Sequence, residues 1–294
     1  MSSRDGIIVV DKPGGLTSQQ VVSRIKRALG IKKVGHAGTL DPMATGVLVV
    51  GVGRATRLLG FIAGADKQYT ATIRLGQATT TDDAEGEPIG EIVDATGLTD
   101  DAIAVGVVAL TGDIEQTPSA VSAIKIAGKR AYAMVRAGES PQLAARDVTV
   151  SRFEVLRRHD VATFVDLDVI VDCSTGTYIR ALARDLGTAL RVGGHLTALR
   201  RTRVGRFEIA AAVPMDDATI VDVMDISAVA RDCFAGVDVD SAWADDVAHG
   251  RPLPIVVQNK PTAVFGPSGQ FLALYEPCDD HAVPLAVFVD GTRI

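Results

Sequence analysis

The spacing of apolar and polar residues changes several times along the first part of this chain. Gly6–Asp11 is a short apolar run, which predicts a buried strand. Thr17 and Gln20 have the spacing of a capping box, and the apolar stripe that follows them ends at Gly30. We therefore predict an amphipathic helix between this cap and this glycine.

The same reading predicts a series of alternating elements down to about residue 210. An acidic, glycine-punctuated segment at Thr79–Gly90 predicts a surface loop that lies away from any nucleic acid. Strands are predicted at Val47–Val52, Gln68–Leu75, Ala120–Ile126, 148–155, 164–171 and 203–209, and helices at Arg54–Ala63, Thr99–Leu110, Arg130–Ala137 and 177–191. This order of strands and helices is typical of an α+β domain around a central mixed, largely antiparallel sheet.

The last 80 or so residues have a different character. Prolines punctuate short apolar runs at 254–257, 263–265, 271–275 and 285–289, which favours a small β-barrel. We expect one domain over residues 1–230 and a second over residues 231–294.

Composition indicates an ordinary soluble protein, since 47% of the 294 residues are apolar and 22% are charged. No long uncharged apolar window and no secretory signal pattern occur, so we expect a cytoplasmic protein without a membrane segment. The three cysteines are widely separated, and the histidines are scattered. This spacing favours neither a disulfide framework nor a metal site.

Charge is distributed very unevenly, although the net charge is only −6. Residues 1–75 and 119–210 carry net charges of +7 and +6, whereas residues 76–118 and 211–294 carry −10 and −9. Electrostatic attraction acts over about 8 Å at physiological salt, so local basic regions can bind a polyanion on an acidic protein.

The segment Gly35–Gly46 places one carboxylate, that of Asp41, in a constrained stretch of chain. Its glycines have access to backbone angles closed to other residues, and Pro42 pushes Asp41 toward an extended conformation. A carboxylate aimed by the chain suits covalent catalysis, which requires accurate placement. An Asp-Pro turn between two strands is the alternative.

This segment also resembles the catalytic segment of the TruB family of tRNA pseudouridine synthases. The resemblance continues in order over about the first 210 residues, so chance agreement of one short motif does not explain it. The matching stretches are Ile8–Pro13, Gly35–Gly46, Gly53–Leu58, Asp66–Tyr69, Arg74–Asp82, Gln116–Ser119, Ser122–Lys125 and Cys173–Arg180.

The resemblance implies a pseudouridine synthase fold with a small PUA-like β-barrel at the carboxyl end. It implies isomerisation of uridine-55 in the T-loop of tRNA to pseudouridine, without a cofactor. The partner is then the tRNA T-arm, and we expect a monomer.

Three residues match the family's chemical positions. Asp41 matches the nucleophile or its equivalent, and Arg180 matches the arginine that pairs with it and fixes its orientation. Tyr69 matches the tyrosine that stacks on the target base, whose phenol is also a candidate proton acceptor. The alternatives for Arg180 are a phosphate contact or an ion pair on a helix surface, and the alternative for Tyr69 is a place in the core.

Other matching residues are expected to bind substrate. The target base must leave its stack, and His36 matches the residue that fills the vacated space. Tyr178 and Leu199 match positions that line the uracil pocket. Candidates for phosphate contacts are Lys12, Lys67, Arg200, Arg201 and Arg203.

Two other classes of function compete with this interpretation. A non-catalytic RNA-binding protein or tRNA chaperone on the same scaffold would need only the basic segments and the carboxyl-terminal domain. An acid–base hydrolase using Asp41 and His36 is disfavoured, because a separation of five residues that includes Gly38 fixes no shared geometry and no Gly-x-Ser-x-Gly motif occurs.

Overall fold

The computed structural model describes residues 5–119, 125–126, 129–130, 143–219 and 222–289. The helices of these residues are α1 (Ser18–Leu29), α2 (Leu59–Ala63), α3 (Asp100–Ala109), α4 (Ile179–Ala189), α5 (Ile226–Cys233) and α6 (Ser241–Ala248). Short 3-10 helices lie at Gly53–Arg57, Ile209–Ala211 and Met215–Asp217.

The strands of the same residues divide between two larger sheets and two short hairpins. They are β1 (Gly6–Lys12), β2 (Val34–Ala37), β3 (Thr45–Val52), β4 (Lys67–Leu75), β5 (Ala78–Thr79), β6 (Pro88–Ile89), β7 (Gly112–Gln116), β8 (Lys125–Ile126), β9 (Lys129–Arg130), β10 (Arg146–Val161), β11 (Phe164–Cys173), β12 (Gly194–Val204), β13 (Phe207–Glu208), β14 (Val213–Pro214), β15 (Met224–Asp225), β16 (Ala235–Asp238), β17 (Thr262–Phe265), β18 (Phe271–Cys278) and β19 (His281–Val287).

The central sheet has 11 strands, and its main path runs β14-β1-β3-β12-β4-β11-β10-β7. Strands β3 and β12 are parallel, as are β1 and β14, whereas the other pairs in this sheet are antiparallel. The prediction of an α+β fold with a mixed, largely antiparallel sheet is therefore confirmed.

Helix α1 forms as its sequence predicts. The Thr17 side chain accepts from the Gln20 amide, the Gln20 side chain accepts from the Thr17 amide, and Gly30 ends the helix in the left-handed conformation. Val21 and Ile25 face inward and pack on the side chains of β1 and β3. The start of α1 is thereby fixed beside the end of β1.

Helices α3 and α4 cover one face of the other half of the sheet. Strand β4 alternates between buried and half-buried residues, and its inward face meets α4. Gly106 of α3 lies against Leu186 of α4, where a larger residue would collide with the leucine side chain. This packing directs the first residue of α4 toward the junction of β4 and β12.

The carboxyl-terminal strands form a four-stranded sheet in the order β16-β17-β18-β19. Among residues 222–289, β16 and β19 are the edges of this sheet, so the expected closure into a barrel does not occur there. The expected domain boundary between residues 230 and 231 falls inside α5. Ile7 of β1 and Phe288 belong to one apolar core, so this sheet packs on the central one.

Two predicted elements differ from the structure. The helix expected at Arg54–Ala63 is divided into a 3-10 helix and α2, because the Thr56 hydroxyl donates to the Gly53 carbonyl oxygen at 2.8 Å. The strand expected at 203–209 is the end of β12 and its turn into β13. Bulges near Leu196 and Arg201 disturb the alternation that would have revealed the rest of β12.

The segment after β7 is described only in part. Strand β8 confirms the end of the strand predicted at Ala120–Ile126, whose earlier residues lie outside the described ones. Arg130, the first residue of a predicted helix, lies instead in β9, and the rest of that predicted helix also lies outside. In the described part of the chain, no helix is both long and apolar enough to span a membrane.

Candidate active site

A cavity of about 290 Å³ opens where the loop at 38–44 meets β4, β12 and the start of α4. Side chains that are far apart in the sequence meet in its wall because the central sheet brings β4 and β12 together. Seven of the residues singled out above line it, which are Asp41, Lys67, Tyr69, Tyr178, Arg180, Leu199 and Arg201.

Asp41 lies on a short loop that is tied to the protein on both sides. Strand β2 occupies the first part of the motif, so the loop proper is shorter than the sequence suggested. Before Asp41, the Leu40 amide donates to the Ser18 hydroxyl at 2.9 Å. After it, the Pro42 carbonyl oxygen accepts from the Gly15 amide at 2.8 Å. The backbone thus presents the carboxylate at a fixed point in the cavity wall.

Arg180 holds Asp41 through both carboxylate oxygens. Its Nε lies 3.0 Å from Asp41 Oδ2 and its Nη2 lies 3.1 Å from Oδ1. The arginine side chain is 4% exposed and that of Asp41 is 34% exposed, so the carboxylate keeps an open side. Because the guanidinium is planar and donates in parallel, this pairing fixes the direction of the carboxylate.

Asp83 is a second carboxylate beside Arg180, which sequence analysis did not identify. Its Oδ2 lies 3.6 Å from Arg180 Nε, and its side chain is only 4% exposed. The Arg180 Nη1 also donates to the Thr81 carbonyl oxygen at 2.9 Å. The prediction that Thr79–Gly90 is a surface loop away from the site is therefore wrong at this point, because the turn folds inward to bind a buried cation.

Tyr69 and Leu199 lie on neighbouring strands in the floor of the cavity. Both are buried, and both belong to the apolar core beneath α4. Burial raises the pKa of the Tyr69 phenol, while the nearby Arg201 charge acts in the opposite direction. The phenol is therefore protonated at neutral pH and presents a ring and a hydroxyl to the cavity.

Tyr178 precedes α4 and is held through its backbone. The Gln116 side-chain oxygen accepts from the Tyr178 amide at 2.8 Å, and the Gln116 side-chain nitrogen donates to the Tyr178 carbonyl oxygen at 3.1 Å. Gln116 belongs to β7 and is 1% exposed. Gln116 thus supports the site by holding Tyr178. It belongs to the matching stretch Gln116–Ser119, to which the family resemblance gave no role.

Lys12 faces inward and does not reach the surface. Its Nζ donates to the carbonyl oxygens of Leu16 at 2.6 Å, Pro13 at 2.9 Å and Pro42 at 3.1 Å. Burial lowers the pKa of Lys12 to about 8. Since all three ammonium donors are used, the expected phosphate contact is replaced by support of the loop that carries Asp41.

Lys67 lies at the edge of the cavity with one donor position left. Its Nζ donates to the Ala65 carbonyl oxygen at 2.7 Å and to the Ala63 carbonyl oxygen at 2.9 Å. Burial lowers the pKa of Lys67 to about 8. Its role as a substrate contact stays a prediction.

The arginines of β12 point to different faces of the sheet. Arg200 and Arg203 lie on the face opposite the cavity, where they pair with Asp11 and Asp172 at 2.7 and 2.8 Å. Arg201 is 1% exposed and lies on the cavity face. The expected phosphate contact of Arg201 is therefore wrong, because its guanidinium is enclosed by protein.

His36 lies on β2 opposite Val50, two residues before the loop. Its Nδ1 is buried, and no hydrogen-bond partner is found for it among the residues that the structure describes. Burial lowers the pKa of His36, so the ring is neutral at neutral pH. This side chain does not line the cavity, and its expected insertion into RNA stays a prediction.

The site therefore contains one directed carboxylate, a phenol and several fixed cations. A carboxylate with one open side can attack an electrophilic carbon or remove a proton. Searching the described residues for three or more His, Cys, Asp or Glu side chains placed to hold a metal ion finds no such group.

Comparison with known proteins gives matches over nearly the whole chain. Residues 26–179 match the model of the TruB family pseudouridylate synthase N-terminal domain. Residues 180–233 match the tRNA pseudouridylate synthase B C-terminal domain, and residues 234–289 match the tRNA pseudouridine synthase II C-terminal model. The chain belongs to the TruB family.

Curated TruB relatives are similar in length as well as in sequence. The tRNA pseudouridine synthase B of Paenarthrobacter aurescens (strain TC1) is 51% identical over 98% of this chain and 96% of its own. That of Nocardia farcinica (strain IFM 10152) is 56% identical over 96% of this chain and 92% of its own. The family resemblance inferred from the motifs is confirmed.

The TruB fold is also found among solved structures. A chain of a crystal structure described as a Cbf5-Nop10-Gar1 complex superposes with a TM-score of 0.73 and 25% identity, covering 98% of this chain and 86% of that one. The central mixed sheet described above is thus the pseudouridine synthase fold.

Proposed function

We propose that this protein isomerises uridine-55 in the T-loop of tRNA to pseudouridine, with Asp41 as the nucleophile or its equivalent. The observation that carries the proposal is the two-oxygen pairing of Asp41 with Arg180 at the wall of a cavity that also contains Tyr69. A protein that only bound RNA would gain nothing from a directed carboxylate. The curated relatives named tRNA pseudouridine synthase B support the choice of tRNA.

The reaction breaks the bond between ribose C1′ and uracil N1 and joins C1′ to uracil C5. Asp41 attacks the ribose or the base, or removes a ribose proton to form a glycal. In each case Arg180 keeps the carboxylate in the direction that the step requires. Tyr69 and Tyr178 hold the uracil ring, while Leu199 closes the apolar side of the cavity. The proton on C5 then leaves, and the Tyr69 phenol is the proposed acceptor. Because this phenol is protonated, it takes the C5 proton only as it passes its own proton on to water.

Access to the target requires base flipping, because the uridine is stacked within the folded T-loop. In the proposed complex, His36 occupies the vacated space, Lys67 contacts the nucleotide from the cavity edge, and Arg200 contacts the RNA from the opposite face. The carboxyl-terminal unit, residues 231–294, is proposed to bind RNA beyond the loop as a PUA domain would, with an open four-stranded sheet in place of a closed barrel. The protein acts as a monomer and without a cofactor.

The test uses a tRNA transcript that carries tritium on uracil C5. Formation of pseudouridine replaces that C–H bond by a C–C bond, so activity releases tritium to water. Wild-type protein is expected to release one tritium per tRNA, and Asp41→Asn is expected to release none while it binds the transcript with unchanged affinity.

Asp94→Asn is the matched control, because Asp94 is an exposed carboxylate whose hydrogen bonds among the described residues all go to nearby Thr96. Tight binding by the wild-type protein without tritium release would support the RNA chaperone instead. A minimal T-arm hairpin, assayed in the same way, measures how much of the tRNA is needed.

A further inference from the structure

Strand β12 carries three arginines, of which two form ion pairs with carboxylates of the described residues and one does not. Arg200 and Arg203, on the face away from the cavity, are each neutralised by a carboxylate, those of Asp11 and Asp172. Arg201 lies between them on the cavity face, and no carboxylate oxygen of the described residues forms an ion pair with it. The one unpaired arginine of this strand is thus the one beneath the site.

Arg201 is nevertheless held rigidly, by neutral groups. Its Nε donates to the Val47 carbonyl oxygen at 2.8 Å, and its Nη2 donates to the Gly38 carbonyl oxygen at 3.0 Å. Its Nη1 lies 3.5 Å from the Thr39 carbonyl oxygen. These carbonyl oxygens engage three of the five guanidinium N–H donors, and they leave the net positive charge in place.

The position of this charge relative to the site is set by strand pairing. Arg201 is the cross-strand partner of Tyr69, so their side chains are neighbours on one face of the sheet. A buried charge without a counter-ion carries a large desolvation cost. A protein retains such a charge where an anion forms during function, as oxyanion sites do.

The proposed reaction forms an anion in this cavity. When the bond from ribose C1′ to uracil N1 breaks, its electron pair remains with the base. The detached uracil is then an anion, delocalised over N1 and the two ring oxygens, until C5 bonds to C1′. Asp41 and Arg180 neutralise each other, so a further cation is needed for this charge.

We propose that the unpaired guanidinium of Arg201 stabilises the detached uracil anion from beneath Tyr69. This inference rests on the proposed function. Arg201 acts through its fixed charge, since the carbonyl oxygens of Val47 and Gly38 hold its guanidinium in place beneath the cavity. It adds a charge-stabilising residue to the reaction and replaces the phosphate contact expected from the sequence.

Two substitutions separate the charge from the hydrogen bonds. Arg201→Lys keeps the charge and loses most of the contacts to Gly38, Thr39 and Val47. Arg201→Gln loses the charge and a similar number of contacts. A purely structural role predicts that both variants lose activity together, in proportion to their loss of thermal stability.

The decisive measurement compares uridine with 5-fluorouridine at the target position, in single turnovers that follow cleavage of the C1′–N1 bond. Fluorine withdraws electrons and makes uracil a better leaving group. We expect Arg201→Gln to slow cleavage of uridine by about 100-fold, the scale for loss of one charge-stabilising group. With 5-fluorouridine, the loss of cleavage rate caused by Arg201→Gln is expected to be at least tenfold smaller than with uridine.

For Arg201→Lys, the loss of cleavage rate relative to the wild type is expected to be nearly the same with uridine and with 5-fluorouridine. Equal losses for Arg201→Gln with uridine and 5-fluorouridine would overturn the inference while the wild type stays active. Failure of the wild type to isomerise uridine would overturn the proposed function itself.

A second measurement needs no variant, which matters if Arg201→Gln does not fold. 5-Nitrouracil is an anion at neutral pH, whereas uracil is neutral, and both contain the pyrimidine ring of the detached base. The wild-type protein is expected to be inhibited by 5-nitrouracil at concentrations about tenfold lower than those of uracil that give the same inhibition. This is the behaviour of a ligand that resembles the charged intermediate. Equal inhibition by the two bases would count against the inference.

Discussion

Arg180 lies between Asp41 and Asp83, and only Asp41 faces the cavity. The distances from Arg180 Nε to the nearest carboxylate oxygens are 3.0 Å for Asp41 and 3.6 Å for Asp83. The buried Asp83 thus compensates the arginine from behind, so that the guanidinium is not free to turn away from Asp41. The direction of the reactive carboxylate depends on a residue that touches no substrate.

Substitution Asp83→Asn is therefore expected to lower the rate of pseudouridine formation by tenfold or more. It removes one charge of a buried group, and breaking a buried ion pair costs about 3–5 kcal/mol when a partner is lost. The rate is measured in single turnovers, and RNA affinity is measured separately. Asp82→Asn is the matched control, because Asp82 occupies the same turn but pairs with Arg184. An Asp83→Asn variant that is as active as Asp82→Asn would contradict this prediction.

Lys12→Met is expected to lower kcat more than it raises KM. The substitution leaves three carbonyl oxygens without their common donor, including that of Pro42 next to Asp41. Loss of this donor loosens the loop, whereas no phosphate contact is lost. The slope of RNA affinity against salt concentration is therefore expected to stay unchanged. A slope smaller by about one would instead indicate the phosphate contact.

The contribution of Lys67 to protein stability is expected to rise with pH between about 8 and the ordinary lysine value of 10.5. Its folded-state pKa is about 8, below the ordinary value of 10.5, so the unfolded chain binds more protons between these values. Under that condition the free energy of unfolding increases with pH, by up to about 3 kcal/mol across the interval. Denaturant unfolding at several pH values measures this, and Lys67→Met is expected to have a smaller slope. Parallel curves for the two proteins would show that Lys67 is not responsible.

Gly46→Ala is expected to prevent normal folding or to destabilise the protein by more than about 3 kcal/mol. Gly46 has a φ of +99°, and a Cβ there would collide with the backbone of Arg201. Gly60→Ala is the control, since nothing lies within 4 Å of a Cβ at that helical position. It is expected to leave stability unchanged or to raise it slightly. Thermal unfolding of both variants tests the close approach of β3 and β12.

Sequence reasoning succeeded where one local rule decides the outcome. The capping box of α1 and the alternation of β4 each depend on residues close in sequence, and both elements formed as predicted. The pairing of Asp41 with Arg180 was also predicted, but it came from family resemblance rather than from spacing.

The site residues that sequence reasoning missed or misplaced are set by contacts between segments that are distant in the sequence. Asp83 belongs to an acidic, polar turn, and only the position of Arg180 shows why it is buried. Lys12 and Arg201 are charged residues that sequence alone places at the surface, yet backbone carbonyl oxygens satisfy both inside the protein. Burial of a cation by carbonyl oxygens has no sequence pattern, because every residue supplies the same acceptor.

The shared core of Ile7 and Phe288 has a consequence for synthesis of the protein on the ribosome. Arg54 adds to this closure, since it binds Asp5 through its side chain and donates to the Phe288 carbonyl oxygen at 2.9 Å. Contacts that join the two ends of a chain form only after nearly all of it has left the exit tunnel. Part of the apolar face of β1 therefore stays uncovered until the segment around Phe288 has been synthesised.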